Sequence, residues 1–317
     1  MTWSKLERII KENNTFILSS HVNPDGDCIC SLLALYWYVT SLGKKATIYT
    51  NYAVPKKFLF LRNTDKITDI RPEGTFDVFA ILDASNPNRL GWDGTDTIAK
   101  TIINIDHHRD NSLCGDLNII DHSAAATSQI IYQFFRDCNI AFPTFVAETL
   151  YTGILTDTGG FAFSNTNTIV LRICADLAEN GVNCSEVNRK IYSSFSTPGL
   201  LLRAKIWSTL SFYYNNRICS MEIPVSQIEA IKENYGDIEG MSDQALRAEE
   251  AEVGMFLKYS DTKTHFSLRS KGSVDVGKIA QSIPGGGGHT CAAGCTMDLP
   301  LEEAKSRMLE IIKKKLG

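Results

Sequence analysis

Two clusters of acidic and imidazole side chains lie far apart in this chain, His21-x-x-x-Asp25-x-Asp27 and Asp106-His107-His108. Each comes directly after an apolar run, TFILSS at 15–20 and TIINI at 101–105. Carboxylates at such density repel one another unless a cation lies between them, so the clusters point to bound metal. Two further aspartates hold comparable positions. Asp83 follows VFAIL at 78–82, and Asp157 closes YTGILT at 151–156. The candidate ligands are therefore His21, Asp25, Asp27, Asp83, His107 and Asp157, whose four carboxylates match the charge of two divalent cations. Mixed imidazole and carboxylate ligation suits Mn²⁺, and also Fe²⁺, Co²⁺ or Zn²⁺. Oxygen-only ligation would suit Mg²⁺ better. Two ions about 3.5–4 Å apart can hold a nucleophilic oxygen and clamp a phosphoryl group, as phosphoester hydrolysis requires.

Each residue alone has a plainer reading. An aspartate after a strand usually caps a helix or closes a turn, and a lone histidine is usually structural. Asp121 is read in that way, as the cap of a helix beginning near Ala125, and His122 is left out of the site. The plain reading weakens because three of only six histidines sit close to aspartates at predicted strand ends. A fourth, His289, follows a run of glycines.

For these residues to meet, the chain must bring distant segments to one edge. The runs 15–20, 46–50, 78–82 and 101–105 read as buried strands. Helical pieces lie between them, including 29–42 with Gly43 as a stop. Such alternation predicts an α/β fold with a doubly wound, mostly parallel sheet covered on both faces. In that sheet the carboxyl ends share one edge, where ligands bind, so residues from His21 to Asp157 can converge.

Composition limits the partners. The 317 residues, 44% hydrophobic and 21% charged, are those of an ordinary globular protein with room for two domains. A net charge of −4 gives no overall field for a long polyanion. No apolar run approaches the ~20 residues of a membrane span, and the N-terminus lacks a signal-peptide core. Nine scattered cysteines suggest a reducing cytoplasm. Cys28 with Cys30, and Cys291 with Cys295, lack zinc-site spacing and read as small buried side chains.

Residues 185–212 read as one long helical stretch containing Pro198 and Gly199, a connector to a second domain. The expected division is 1–187, a helical linker at 188–213, and a smaller α/β domain at 214–317. Strands are expected at 217–223, 252–259 and 264–269, with helices at 274–282 and 301–316. Between helix and strand lie four glycines, 285–288, followed by His289. No Lys-Ser/Thr follows, so this is not a P-loop. Glycine lets backbone N–H groups approach an anion, and Arg269-Ser270 ends a nearby strand, where the guanidinium could grip a phosphate.

The segments HVNPDGDCICS, ILDAS, NIDHH and GILTDTGGF resemble the four motifs of the DHH phosphoesterases. The stretch SLRSKGSVDVGKIAQSIPGGGGHTCAAG resembles the DHHA1 domain of the same family. In size and layout the chain looks most like the stand-alone NrnA-type subgroup, the nanoRNases that also dephosphorylate 3′-phosphoadenosine-5′-phosphate (pAp). The resemblance implies one ion held by His21, Asp25 and Asp83, and a second held by Asp27, Asp83, His107 and Asp157. It implies that His108 faces the scissile phosphate, that Asp106 orients the adjacent histidines, and that Asn23, Pro24 and Gly26 shape the turn. Arg269, Ser270, Gly287, Gly288 and His289 would bind the terminal nucleotide across a cleft, and Lys271 and Lys278 would be solvated. Gln129, where a glutamate is common, and Ala162, where a larger side chain is common, depart from the pattern. The implied substrates are short oligoribonucleotides or dinucleotides and pAp, with two ions, Mn²⁺ foremost and Mg²⁺, Co²⁺ or Fe²⁺ as alternatives. Cyclic dinucleotides such as cyclic di-AMP, or their linear products, are the rival substrates. Inorganic pyrophosphatase fits the first domain but not the glycine-histidine segment. A non-catalytic nucleotide sensor would be expected to lack a ligand, and none is missing. Relatives commonly form homodimers through the first domain.

Overall fold

The computed structural model describes residues 2–22, 24–91, 98–229, 238 and 240–316. Asn23, expected in the ligand turn, lies outside them. The chain divides into two compact units, Met1–Ser194 and Phe195–Gly317.

The first unit holds strands β1 (Thr15–Ser19), β2 (Lys45–Tyr49), β3 (Ile67–Thr68), β4 (Phe76–Leu82), β5 (Ala99–Asp106) and β6 (Leu117–Ile120). Its helices are α1 (Thr2–Glu12), α2 (Gly26–Ser41), α3 (Thr127–Asp137), α4 (Thr144–Asp157), α5 (Thr168–Glu179) and α6 (Cys184–Tyr192). The strands form one parallel sheet in the order β3-β2-β1-β4-β5-β6. Alternate residues of a strand serve opposite faces. Phe16, Leu18, Val78 and Ala80 join the large core to which all six helices contribute. Ile17, Phe79 and Ile81 join a smaller core on the other face, with Leu90 and Ile98. The strand order reverses between β1 and β4. Their carboxyl ends therefore flank the crevice that such a reversal opens.

Two expectations change here. The run 151–156 belongs to α4, so Asp157 ends a helix and not a strand. Nine residues of α4 are buried, around most of its circumference. A helix buried all round has no amphipathic period to separate it from a buried strand. Helix α2 begins at Gly26 instead of residue 29, because the Asp25 carboxylate accepts the Cys28 N–H at 3.0 Å as an N-cap. Gly26 also lets α2 meet α4, since a Cβ there would lie 2.3 Å from Thr156 Oγ1.

In the second unit lie α7 (Thr197–Trp207), β7 (Ser211–Tyr213), β8 (Ile218–Pro224), α8 (Val225–Glu229), α9 (Met241–Ala245), β9 (Val253–Tyr259) and β10 (Thr264–Ser270). They are followed by α10 (Val276–Gln281), β11 (Gly287–Gly288), β12 (Ala292–Met297) and α11 (Leu301–Lys313). The sheet order is β11-β12-β10-β9-β8-β7, antiparallel except between β8 and β9. One core lies against α10 and α11, and another against α7, α8 and α9. The single helical stretch expected over 185–212 is two helices, α6 and α7, followed by the start of β7. Ser196 caps α7 through the Gly199 N–H, with Pro198 in the first turn, where its missing N–H costs nothing. Among the described residues no helix is long and apolar enough to cross a membrane.

Candidate metal centre

Three strand ends and two helix ends supply the candidate residues. His21 follows β1 by two residues, Asp25 caps α2, and Asp27 lies in its first turn. Asp83 follows β4 directly, with a left-handed φ of 54°, uncommon for a non-glycine residue. Its N–H is held by the Ile105 carbonyl at 3.0 Å. Asp106 ends β5, His107 and His108 follow it, and Asp157 arrives at the C-terminus of α4.

The structure brings these side chains into three overlapping groups: His21, Asp25, Cys28 and Asp83; Asp83, Asp106, His107 and His108; and Asp27, His107 and Asp157. Within each group the potential ligand atoms lie within 4.8 Å of one another. Asp83 connects the first two groups with separate oxygens. Its Oδ2 lies 3.8 Å from His21 Nε2, and its Oδ1 lies 3.4 Å from His107 Nε2. His21 Nε2 is 3.9 Å from Asp25 Oδ2, and His107 Nε2 is 3.6 Å from Asp157 Oδ2.

These separations suit a cation better than direct hydrogen bonds. Two ligand atoms, each about 2.1 Å from one ion at tetrahedral or octahedral angles, lie about 3.0–3.5 Å apart. The observed spacings are of this size or a few tenths longer. The imidazole orientation agrees. His21 Nδ1 lies 2.7 Å from the Val22 carbonyl, and His107 Nδ1 lies 3.3 Å from the Ala124 carbonyl. A carbonyl oxygen only accepts, so each Nδ1 carries the hydrogen and Nε2 of the neutral ring offers a lone pair to the carboxylates. Lone pair and anion repel unless a proton or a metal ion stands between them.

Without a cation, protons take that place. Burial opposes a charged His107 ring, but the bond to Asp83 and the charges of Asp83, Asp157 and Asp27 together push its pKa up to about 10. Burial first, and then the charge of Asp83, push Asp27 up to about 7. Burial and the charge of Asp27 raise Asp157 well above the ordinary carboxylate range. Asp83 goes the other way: burial would raise it, but the His107 bond and the three neighbouring imidazoles hold it low. A divalent cation would replace these protons, and the donor set fits it.

Further hydrogen bonds tie these side chains to their surroundings. Asp106 is fully buried and accepts from His108 Nδ1 at 2.7 Å, from the His107 N–H at 2.8 Å and from Asn111 Nδ2 at 2.6 Å. Both Asp27 oxygens accept N–H groups from the start of α3, at Thr127 and at Ser128 (2.8 Å). A helix N-terminus favours an anion, which holds this carboxylate in one orientation. Thr127 Oγ1 donates to Asp83 Oδ1 at 3.1 Å. Gln129 accepts the Ala125 N–H at 2.9 Å, reaching back over the helix start, so the neutral side chain has a structural task. Asp121 does not cap α3; it accepts from Ser123 N–H and Oγ in its own turn.

Sequence reasoning missed Thr127, Ser128 and Asn111 at this site, and it read Cys28 as a small buried side chain only. Cys28 is fully buried, and its sulfur also donates to Asp83 Oδ2 at 3.3 Å. No local pattern could have paired Asp27 with backbone groups 100 residues away.

In the second unit, Arg269 and Ser270 end β10, and Gly287 and Gly288 form β11 on the other side of β12. Arg269 pairs in register with Ala292, and the His289 N–H donates to the Ala292 carbonyl at 2.7 Å. The five predicted residues thus gather at one end of this sheet. Arg269 Nε donates to Asp243 at 2.9 Å, and Ser270 Oγ accepts the Gly272 N–H at 3.0 Å. Gly288 has φ 143°, and a Cβ there would lie 2.4 Å from Ala293 Cα, so only glycine fits. Lys271 and Lys278 are exposed, and Lys271 also donates to the Ala248 and Glu249 carbonyls.

A parallel sheet with aspartates and histidines at its switch point, followed in the chain by a mixed-sheet unit, defines the class. Residues 15–154 match the N-terminal domain of the DHH family, and residues 222–317 match the DHHA1 domain. The chain belongs to this family. It is 32% identical to the Thermus thermophilus protein named bifunctional oligoribonuclease and PAP phosphatase NrnA, over 99% of this chain and 95% of that one. It is 26% identical to the Bacillus subtilis protein of the same name, over 93% of each. A solved structure from Bacteroides fragilis, titled an exopolyphosphatase-related protein, shares the fold with TM-score 0.88 at 23% identity, covering 99% of this chain and 95% of that one.

Proposed function

We propose that this protein is a metal-dependent phosphoesterase that hydrolyses short oligoribonucleotides to 5′-mononucleotides and also removes the 3′-phosphate of pAp. The names of the Thermus and Bacillus relatives support the substrate class. The observation that carries the chemistry is the pair of imidazole Nε2 atoms facing the buried Asp83 and the more accessible Asp25 and Asp157 at 3.4–3.9 Å.

His21, Asp25 and Asp83 would hold one divalent ion, and Asp27, Asp83, His107 and Asp157 the other, with Mn²⁺ the preferred metal. Such ions, when bound, lower the pKa of water toward neutrality and neutralise charge developing on a phosphoryl group. His108 acts on the phosphate from beside the ligands, as electrostatic stabiliser or as proton donor to the leaving oxygen. Asp106 holds His108 through Nδ1, which fixes the ring and favours its charged form. Arg269, Ser270, Gly287, Gly288 and His289 bind the terminal nucleotide, with backbone N–H groups and a guanidinium as donors. The protein acts in the cytoplasm, and a homodimer is its proposed assembly.

The test is hydrolysis of the dinucleotide pApA by the purified full chain with Mn²⁺, next to pAp and cyclic di-AMP. Turnover of pApA and pAp, abolished by Asp83→Ala, is expected. Full activity in that variant would overturn the two-ion reading, and preference for cyclic di-AMP would overturn the substrate.

A further inference from the structure

The first ligand group contains a side chain that the proposed ligand set leaves out. Cys28 lies in the first turn of α2 and is fully buried. Its Sγ belongs with His21, Asp25 and Asp83 in a group whose ligand atoms all fall within 4.8 Å. It lies 3.3 Å from Asp83 Oδ2, the oxygen that faces His21. That spacing matches the one between the imidazole and carboxylate donors. A second polar contact comes from below: Ser20 Oγ donates to Cys28 Sγ at 2.8 Å. Burial, and then the charges of Asp25 and Asp83, keep the thiol protonated in the metal-free protein. Cys30, two residues further on, has no place in any of the three groups.

We propose that Cys28 is a fourth protein ligand of the ion held by His21, Asp25 and Asp83, and that its sulfur biases this position toward thiophilic divalent metals. The inference rests on the two-ion reading above. The Cys28 thiol proton, which points to Asp83 in the metal-free protein, leaves to solvent as the ion binds, and the Asp83 oxygen it occupied turns to the metal. Thiolate is the softest donor in the site. Relative to a position with oxygen and nitrogen donors alone, it raises affinity for Zn²⁺, Co²⁺ and Cd²⁺ more than for Mn²⁺ and Mg²⁺, which prefer oxygen. The two ion positions would then differ: one has a sulfur donor, and the other, with Asp27, Asp157 and His107, has only oxygen and nitrogen.

The decisive experiment uses the full chain, stripped of metal and titrated with Co²⁺, Cd²⁺ and Mn²⁺ separately. Wild-type protein should develop a thiolate-to-cobalt charge-transfer band in the near ultraviolet, and Cys28→Ala and Cys28→Ser should lack it. Both variants should lose Cd²⁺ affinity by about 10-fold or more relative to Mn²⁺, whose binding changes little. If either variant misfolds, X-ray absorption on the zinc-loaded wild-type protein serves instead, with one sulfur expected at about 2.3 Å. Absence of sulfur from the zinc shell, or a cobalt band that survives in Cys28→Ala, would overturn the proposal. Asp83→Ala separates the two ideas. If that variant fails to bind any of the three metals while Cys28→Ala keeps wild-type selectivity, the metal centre stands and only the cysteine ligand falls.

Discussion

Gly153→Ala tests whether helix packing, rather than ligand identity alone, sets the metal centre. Gly153 lies inside α4, against the start of α3 and the first turn of α2. A Cβ added there would lie 2.1 Å from Ser128 Oγ, 2.7 Å from Ser128 Cβ and 3.0 Å from Asp27 Oδ1. Ordinary contacts between such atoms are about 3.5–4.0 Å, so α3 or α4 must move by roughly an ångström or more. Overpacking of this kind costs about 1–3 kcal/mol. Replacing glycine with alanine inside a helix recovers about 1 kcal/mol, so the fold should lose no more than about 2 kcal/mol. The metal site should suffer more. The displaced Ser128 is the residue whose N–H holds Asp27 Oδ1 at 2.8 Å. Loss of such a supporting contact typically costs about 10–100-fold in metal affinity. Titration calorimetry with Mn²⁺ on the metal-free protein reads the affinity, urea unfolding reads the stability, and pApA turnover reads the consequence. Mn²⁺ affinity within about twofold of wild type would refute the view that the α2–α3–α4 contact positions Asp27.

Three further outcomes are expected. The metal-free protein should lose stability as pH rises, because Asp27 keeps its proton in the folded state to about pH 7 and in the unfolded state only to about 3.8. The stabilisation is complete below the unfolded value and gone once pH passes the folded one; roughly three pH units correspond to about 4 kcal/mol at most. Urea midpoints with chelator between pH 4 and 8 read this slope, which Asp27→Asn should flatten; no slope in wild type contradicts the burial argument. His108→Ala should lower kcat on pApA by about 100-fold or more while calorimetric Mn²⁺ binding persists, and equal loss of both would make His108 a ligand instead. Arg269→Ala should raise KM for pApA with kcat little changed; an unchanged KM removes this arginine from nucleotide binding.

The chemistry of the site was legible because its signals are local. A buried strand is an apolar run, and a polar residue directly after it stands at the sheet edge. His21, Asp83 and Asp106 were placed in this way, as was the parallel sheet that carries them. The tetraglycine segment and Arg269 were legible as a possible anion site, and β12 brings them together. Asp157 was read as a carboxylate ending an apolar run, which it is, but that run is a helix and not a strand. Helix α4 is buried around most of its circumference, so neither period was visible.

By itself the sequence determined which residues could hold metal and which edge would gather most of them, since periodicity and residue type act over a few positions. Only the tertiary structure decided the strand order that sets His21 opposite Asp83, because that order comes from burying both faces of the sheet. The packing of α3 and α4 against α2 likewise decided that the N–H groups of Thr127 and Ser128 grip Asp27. The fold likewise brings Cys28 to Asp83, 55 residues away. Such contacts depend on close approach between helices distant in sequence, which no local pattern records.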